Sequence, residues 1–238
     1  MRMPISRSHL RAFLVLIALA VIALFLFLFR RQITPASVPG PTVVETVNRG
    51  LSPADEQTFR AKLADLLAQQ EKNKTDGTRD INLLLRIGVQ YYILGEVKHA
   101  ADSYRDIIST NPNDPAALEN LGQALQEMGD YAGALEAWQR AVNAAPTEST
   151  YLRIVDLIDA HLPEYKDRIP AVVEHGIANL GQTYGFLIRL GDWYAGQGDY
   201  VRAVSHYEVA LRLSENSDAR ETLETYRQKM REAEAAGK

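Results

Sequence analysis

Residues 114–125 read Asp-Pro-Ala-Ala-Leu-Glu-Asn-Leu-Gly-Gln-Ala-Leu. Asp114 is a favourable helix N-cap, and Pro115 suits the first helical position because the N–H that it lacks would have no partner there. Three leucines recur at helical spacing and predict one apolar stripe: Leu118, Leu121 and Leu125. Gly122 has no side chain on this stripe. A second helix can therefore approach the first one closely at that point.

The residues that follow predict this second helix. Gly129 and Asp130 supply a C-terminal glycine and a new N-cap. Three small or aromatic residues form its predicted inner face: Ala134, Trp138 and Ala141. Pro146 ends the helix because proline cannot continue a helical interior. One helix pair is thus complete in about 34 residues.

This pattern resembles the tetratricopeptide repeat (TPR), a helix-turn-helix unit with a framework of Leu-Gly, Tyr, Ala, aromatic, Ala and Pro positions. The framework recurs 34 residues upstream at Leu84, Ile87, Gly88, Tyr91, Gly95, Ala100, Tyr104 and Pro112. It recurs 69 residues downstream at Leu187, Leu190, Gly191, Tyr194, Gly198, Asp199, Tyr200, Ala203, Tyr207 and Ala210. Sixty-nine residues are two periods plus one, so a fourth, degenerate repeat is expected between these copies.

The resemblance implies an all-α fold, a TPR α-solenoid of about four helix pairs with leading and capping helices, behind a single N-terminal transmembrane helix. The repeats are expected at 81–114, 115–148, 149–183 (degenerate) and 184–216. The remaining segments are expected to be a flank and transmembrane anchor at 1–31, a Pro/Gly linker at 32–51, a leading amphipathic helix and loop at 52–80, and a capping helix at 217–238. Solenoids need such polar-backed caps at open ends.

The third repeat departs from the framework. Asp156 stands where the glycine is expected, and Pro163 and Pro170 bracket a longer turn. Ala171 and Ala178 are candidates for the small residues of its inner face. The pairing of its two helices is therefore the part of the fold that the sequence specifies least.

The N-terminal region contains a hydrophobic run of 18 residues, Ala12 to Phe29. As a helix it would be about 27 Å long, close to the ~30 Å hydrocarbon core of a bilayer. A cleaved signal peptide is the alternative, but Arg30 and Arg31 directly follow the run and no good cleavage site is present. We therefore expect an uncleaved anchor.

Basic residues on the two sides of this run predict its orientation. Arg2, Arg7 and Arg11 precede the run, whereas Arg30 and Arg31 follow it. By the positive-inside rule, the N-terminus lies in the cytoplasm. The protein is then expected to be a single-pass protein of a bacterial inner membrane, with its repeats in the periplasm.

Composition and charge exclude several function classes. The sequence contains no cysteine, which removes disulfides, thiolate catalysis and cysteine metal sites. Residues 1–49 hold six Arg and one Glu, a net charge of +5, while the remainder holds 20 Lys and Arg against 29 Asp and Glu, a net charge of −9. An acidic body is unsuited to nucleic acid, whose recognition requires a basic face.

No catalytic residue, cofactor motif or ordered metal motif is apparent, so we expect neither an enzyme nor a metal or cofactor site. His161 and His175 flank three carboxylates that could be drawn as a metal cluster: Glu164, Asp167 and Glu174. The simpler interpretation, which we favour, is that His175 takes the inner aromatic position of the third repeat and that the carboxylates are solvated.

The concave groove is the remaining candidate site, because the family lines it mainly with the first helix of each repeat. The expected groove residues are Leu85, Val89, Tyr92, Ile93, Glu119, Asn120, Gln123, Gln126, Glu127 and Arg189. An apolar half beside an acidic, amide-rich half suits an amphipathic or basic segment of another protein. Alternatively, the linker or the helix at 53–72 covers the apolar half in cis. That helix is expected to pack on the first repeat, and dimerisation is its alternative role.

These features predict a membrane-anchored scaffold or adaptor that binds a segment of a partner protein in its groove. Membrane-tethered TPR proteins of this layout resemble accessory factors of envelope assembly, secretion or cytochrome c maturation. The alternatives are a metal-binding or enzymatic accessory centred on the third repeat, or a purely structural oligomer.

Overall fold

The computed structural model describes residues 43–237, which form ten α-helices and one 3-10 helix. The helices are α1 (Pro53–Thr75), α2 (Ile81–Ile93), α3 (Val97–Thr110), α4 (Pro115–Glu127), α5 (Tyr131–Ala144), α6 (Glu148–His161), α7 (Ile169–Leu180), α8 (Tyr184–Gly196), α9 (Tyr200–Leu213) and α10 (Ser217–Ala235), with the 3-10 helix Pro163–Arg168 between α6 and α7. Each helix packs on the next one along the chain, and the first helices of neighbouring repeats also touch, α2 on α4 and α6 on α8. The prediction of an all-α, TPR-like solenoid is confirmed.

The predicted membrane anchor at residues 12–29 lies outside the described residues, as do the first residues of the linker. Within 43–237, none of the helices has both the length and the apolar character needed to cross a bilayer.

Short polar side chains set the starts of most helices. At α4, the Asp114 carboxylate accepts a hydrogen bond from the backbone N–H of Ala117 at 2.9 Å, and Pro115 occupies the first helical position. The same capping arrangement, with a side-chain oxygen three residues before the donor, is made by Ser52, Asp80, Asp130, Thr147, Thr183, Asp199 and Asn216. Each cap satisfies a helix N–H that has no partner inside the helix.

Close approach of the two helices within a repeat depends on a glycine facing an aromatic ring. Trp138 of α5 is 1% exposed and packs against Gly122 of α4, where an added Cβ would overlap the indole. The indole N–H donates to the backbone carbonyl of Glu119 at 3.0 Å. Equivalent glycine–tyrosine contacts occur in the first and fourth repeats, between Gly88 and Tyr104 and between Gly191 and Tyr207.

The core runs continuously from α2 to α8, and the two ends of the solenoid have separate apolar clusters. At the first end, Leu63 and Leu66 of α1 pack on Leu83 and Ile87 of α2. This apolar face of α1 is therefore used within the chain, as the packing interpretation expects. At the other end, α10 covers the last repeat with Ala219 and Leu223, which contact Val204 and Tyr207 of α9.

The third repeat contradicts two details expected from the sequence. Helix α6 begins at Glu148, one residue earlier than a strict 34-residue spacing from Pro115 would place it. Because of this shift, Val155 is buried at the position that corresponds to Gly122, and Asp156 points outwards. The sequence-based assignment of Asp156 to the glycine position is therefore wrong.

The inner face of α7 also differs from expectation. Ala171 and Ala178 are both exposed, so they are not its small inner pair. The buried residues are instead Ile169, Val173 and Gly176, and Gly176 lets the ring of Phe186 from α8 approach the helix. The 3-10 helix lengthens the connection between α6 and α7, so α7 starts later in its repeat than α5 does in the second repeat, and the 34-residue register fails here.

Candidate functional site

Side-chain contacts join the first helices of successive repeats into one surface, here called the concave surface. The Gln123 amide of α4 donates to the Tyr92 hydroxyl of α2 at 2.7 Å. The Glu119 carboxylate of α4 accepts hydrogen bonds from Thr150 of α6 and, at 3.3 Å, from Thr147. Asp156 of α6 and Arg189 of α8 form an ion pair at 2.6 Å. The surface therefore extends over α2, α4, α6 and α8.

The apolar part of this surface lies on α2. Leu85 is half-buried against the main core, and Ile93 is half-buried as well. Val89 lies between them along the helix and is 37% exposed. Of the four predicted apolar groove residues, Val89 is thus the one most available to a partner.

Tyr92 belongs to a polar cluster and is half-buried. Its hydroxyl donates to the Glu127 carboxylate and accepts from Gln123. Burial, and next the hydrogen bond to Glu127, raise the pKa of Tyr92 above its ordinary value of 10.0. The phenol therefore keeps its proton at neutral pH and acts as the hydrogen-bond donor to Glu127.

The remaining predicted residues fall into two groups. Glu119 and Arg189 are engaged with neighbouring helices, so their charges serve the solenoid itself. Asn120 and Gln126 are half-buried, and within residues 43–237 their amide groups form no hydrogen bond. Among the predicted groove residues that the structure describes, these two amides are therefore candidates for binding a ligand.

The structure adds a functional element that the sequence-based interpretation treated as part of a linker. Residues 43–51 form neither helix nor strand and hydrogen-bond to the turns of the first two repeats, where Arg49 forms an ion pair with Glu127 at 2.7 Å. The β-branched residues Val43, Val44, Thr46 and Val47 were a signal for extended backbone in this segment. No local pattern indicated where it would dock.

The sequence offered two segments that could cover the groove in cis, the linker and the helix at 53–72. In the structure, only the linker reaches the concave surface. The apolar face of α1 contacts Leu83 and Ile87, on a different side of α2 from Val89. The segment 43–51 reaches Tyr92 and Glu127 through Arg49 and leaves Val89 exposed.

The two histidines of the third repeat contact tyrosine side chains. The His161 ring stacks on Tyr131 with centroids 3.9 Å apart, and Nδ1 of His175 is 2.8 Å from the hydroxyl of Tyr151. In the part of the chain that the structure describes, no three His, Asp or Glu side chains are arranged to hold a metal ion.

Comparison with known proteins supports the repeat assignment. Residues 115–148 and residues 187–221 each match a sequence profile described as tetratricopeptide repeat. The TPR repeat-containing protein PA0015 of Pseudomonas aeruginosa is 35% identical over 68 residues, which are 28% of this chain and 65% of that protein. The match thus spans slightly less than two thirds of the relative.

Solved structures share the fold. MamA superimposes with a TM-score of 0.55 at 21% identity, covering 69% of this chain and 96% of MamA. The structure of YrrB is described as that of a TPR protein with an unusual peptide-binding site. Its superposition gives a TM-score of 0.52 at 13% identity and includes 69% of this chain and 84% of the YrrB chain. These identities establish the fold alone. With two matched repeats and the shared solenoid architecture, this chain contains tetratricopeptide repeats.

Proposed function

We propose that this protein is a scaffold that binds a segment of another protein on its concave surface, while residues 12–29 anchor it in a membrane. The observation that carries the proposal is an exposed apolar side chain, Val89, on α2 beside the half-buried amides of Asn120 and Gln126 on α4, which make no hydrogen bond within residues 43–237. An apolar anchor supplies affinity, and amides can bond the backbone of an extended or frayed segment.

The charges around this surface favour a basic partner segment. The carboxylates of Glu119, Glu127 and Asp156 face it from α4 and α6. Each is partly compensated within the chain, so their net effect on a partner would be felt mainly in the association rate and in selectivity. The description of YrrB as a peptide-binding TPR protein supports the idea that the same fold can hold a peptide here.

The proposed anchor sets where such binding would occur. The apolar run at 12–29 and the basic residues before it favour a single span with the repeats in the periplasm. A scaffold at this place would hold its partner near the inner membrane. Envelope assembly, secretion and cytochrome c maturation are the processes that such a layout suggests, and the identity of the partner decides among them.

Site-specific photo-crosslinking in intact cells tests this proposal. A photoreactive residue at position 89 of the full-length protein should give a discrete crosslinked species, which Asn120→Ala combined with Gln126→Ala should weaken. The same photoreactive residue at position 201 is the matched control, because Val201 is an equally apolar and more exposed residue, at 62%, on α9. Equal products from both positions, or none from position 89, would contradict binding on the concave surface.

A further inference from the structure

The segment 43–51 is bound to the repeats through its backbone. The Val47 N–H donates to the Gly95 carbonyl at 2.8 Å, the Lys98 N–H donates to the Glu45 carbonyl at 3.1 Å, and the Val44 N–H donates to the Met128 carbonyl at 3.1 Å. These bonds connect the segment to the turns of both the first and the second repeat. The segment is therefore held by backbone contacts, in the manner of a bound peptide.

Gly95 is specifically suited to this docking. Its φ is +79°, and an added Cβ would overlap the carbonyl oxygen of Val47. Glycine is needed both for the left-handed backbone of the turn and for the close passage of the segment.

Arg49 ends this docked segment in a site with three matched groups. Its guanidinium lies over the ring of Tyr92, 4.3 Å from the centroid, and its Nε donates to the Tyr92 carbonyl at 3.2 Å. One terminal nitrogen is 2.7 Å from a carboxylate oxygen of Glu127, and both side chains are about three quarters buried. Gln123 fixes the Tyr92 hydroxyl from the other side.

This geometry selects a guanidinium over an ammonium. A planar cation can stack on the tyrosine ring while its edge meets a carbonyl and a carboxylate at once. A lysine ammonium is a compact charge and cannot make these three contacts together.

We propose that Tyr92, Gln123 and Glu127 form an arginine-binding site at the edge of the concave surface, that Arg49 occupies it in cis, and that an arginine in an extended segment of the partner exchanges with the 43–51 segment. This inference rests on the proposed function and specifies how that surface is regulated. The 43–51 segment is a tethered competitor at high effective concentration, so a segment displaces it only in large excess or by also using the rest of the concave surface.

The probe that tests this exchange is a fluorescent peptide with the sequence of residues 42–52, added to the full-length protein in detergent. The releasing variant combines Val47→Pro, which removes the N–H that bonds Gly95, with Arg49→Gln. We expect the releasing variant to bind the peptide at least tenfold more tightly than the unmodified protein. A third variant, which adds Glu127→Gln to the releasing variant, should bind the peptide at least tenfold more weakly than the releasing variant does. A peptide with lysine in place of its arginine should bind the releasing variant more weakly by a similar factor.

Hydrogen exchange provides a second measurement that does not depend on the substitutions. In the unmodified protein, the amide of Val47 should be protected and should lose its protection when the unlabelled peptide is added in large excess. Equal peptide affinity of the releasing variant and the unmodified protein, or an unprotected Val47 amide, would overturn cis occupancy. Crosslinking at position 89 is independent of both measurements. If a partner crosslinks at position 89 but either of these two contradicting results is obtained, the proposed function stands and only the exchange of Arg49 is refuted.

Discussion

Trp138 is the residue on which the packing of the second repeat most depends. It is fully buried, fills the space left by Gly122 and bonds the Glu119 carbonyl. Trp138→Ala should lower the free energy of unfolding by about 3–5 kcal/mol, as expected for deleting a large core side chain. Urea unfolding followed by circular dichroism measures this loss. An unchanged transition would mean that Trp138 is not a core residue.

Gly122 allows a sharper test at the same contact. Gly122→Ala places a Cβ against the indole of Trp138 and should cost about 1–3 kcal/mol through overpacking. Gly196→Ala is the matched control, because Gly196 is also helical and an added Cβ there meets open space. The control should be neutral or stabilising by up to about 1 kcal/mol through helix propensity. If the two alanine variants behaved alike, the close approach of α4 and α5 would not be limiting.

His206 makes the stability of the last repeat depend on pH. Burial, and then the nearby Arg202 guanidinium, lower the pKa of His206 below its ordinary value of 6.5. The folded state therefore binds fewer protons than the unfolded state when the pH falls through 6.5, so protonation favours unfolding. His206 should contribute no penalty above this pH and should destabilise the fold progressively below it.

The measurement is the denaturation midpoint as a function of pH for the unmodified protein and for His206→Gln. His206→Gln should flatten the fall in stability just below pH 6.5. Arg202→Gln should make this fall smaller, because the Arg202 guanidinium is one of the two causes of the lowered His206 pKa. A pH profile that is identical in the unmodified protein and in His206→Gln would contradict this assignment.

At the scale of elements, α10 is needed to cover the end of the solenoid. Its Leu223 packs on Val204 and Tyr207, and the Tyr207 hydroxyl donates to Asp192 of α8 at 2.5 Å. Leu223→Ala should cost about 2–5 kcal/mol, whereas Leu213→Ala, at an exposed position of α9, should change stability by less than about 0.5 kcal/mol.

The same pair of variants can be compared for exposed apolar surface. Leu223→Asp should loosen α10, increase the binding of a hydrophobic dye and promote association in size-exclusion chromatography, while Leu213→Asp should not. Association that is equal in both variants would show that α10 does not protect the end of the last repeat.

The elements also show how far sequence reasoning reaches. The framework of the second repeat was predictable because its leucines, Gly122 and Trp138 follow a period that depends only on helix geometry. The third repeat was not, because a one-residue shift at Glu148 moves every later residue around its helix axis. The 34-residue period does not specify where within a repeat such a shift occurs. Only the packing shows that Val155 stands at the position that corresponds to Gly122.

The candidate site was predictable to a similar extent. Helical spacing was sufficient to place Val89, Asn120 and Gln126 on the surface of the first helices. The docking of Val47 on Gly95 involves residues far apart in the sequence, within a stretch that composition marks as a linker. Such a long-range backbone contact leaves no periodic trace, which is why the role of Arg49 emerges only from the structure.

At the scale of the whole molecule, the distribution of charge bears on where the protein works. The basic N-terminal part and the acidic remainder differ by 14 charges, +5 against −9. An acidic set of repeats is compatible with a position away from the negatively charged cytoplasmic face of the membrane, and basic residues before a span retain the N-terminus on the cytoplasmic side. Both features favour the proposed orientation.

A topology reporter tests this orientation directly. An enzyme that is active only in the periplasm, fused after Lys238, should be active, and the membrane-extracted protein should retain residues 1–31 when its mass is measured. Replacing Arg2, Arg7 and Arg11 together by glutamate is the matched control, because it leaves the hydrophobic run intact and makes the positive charge at Arg30 and Arg31 dominant. The control should therefore invert the span and silence the reporter. A silent reporter in the unmodified fusion, with normal expression, would place the repeats in the cytoplasm. The partner that binds beside Val89 would then have to be sought among cytoplasmic proteins.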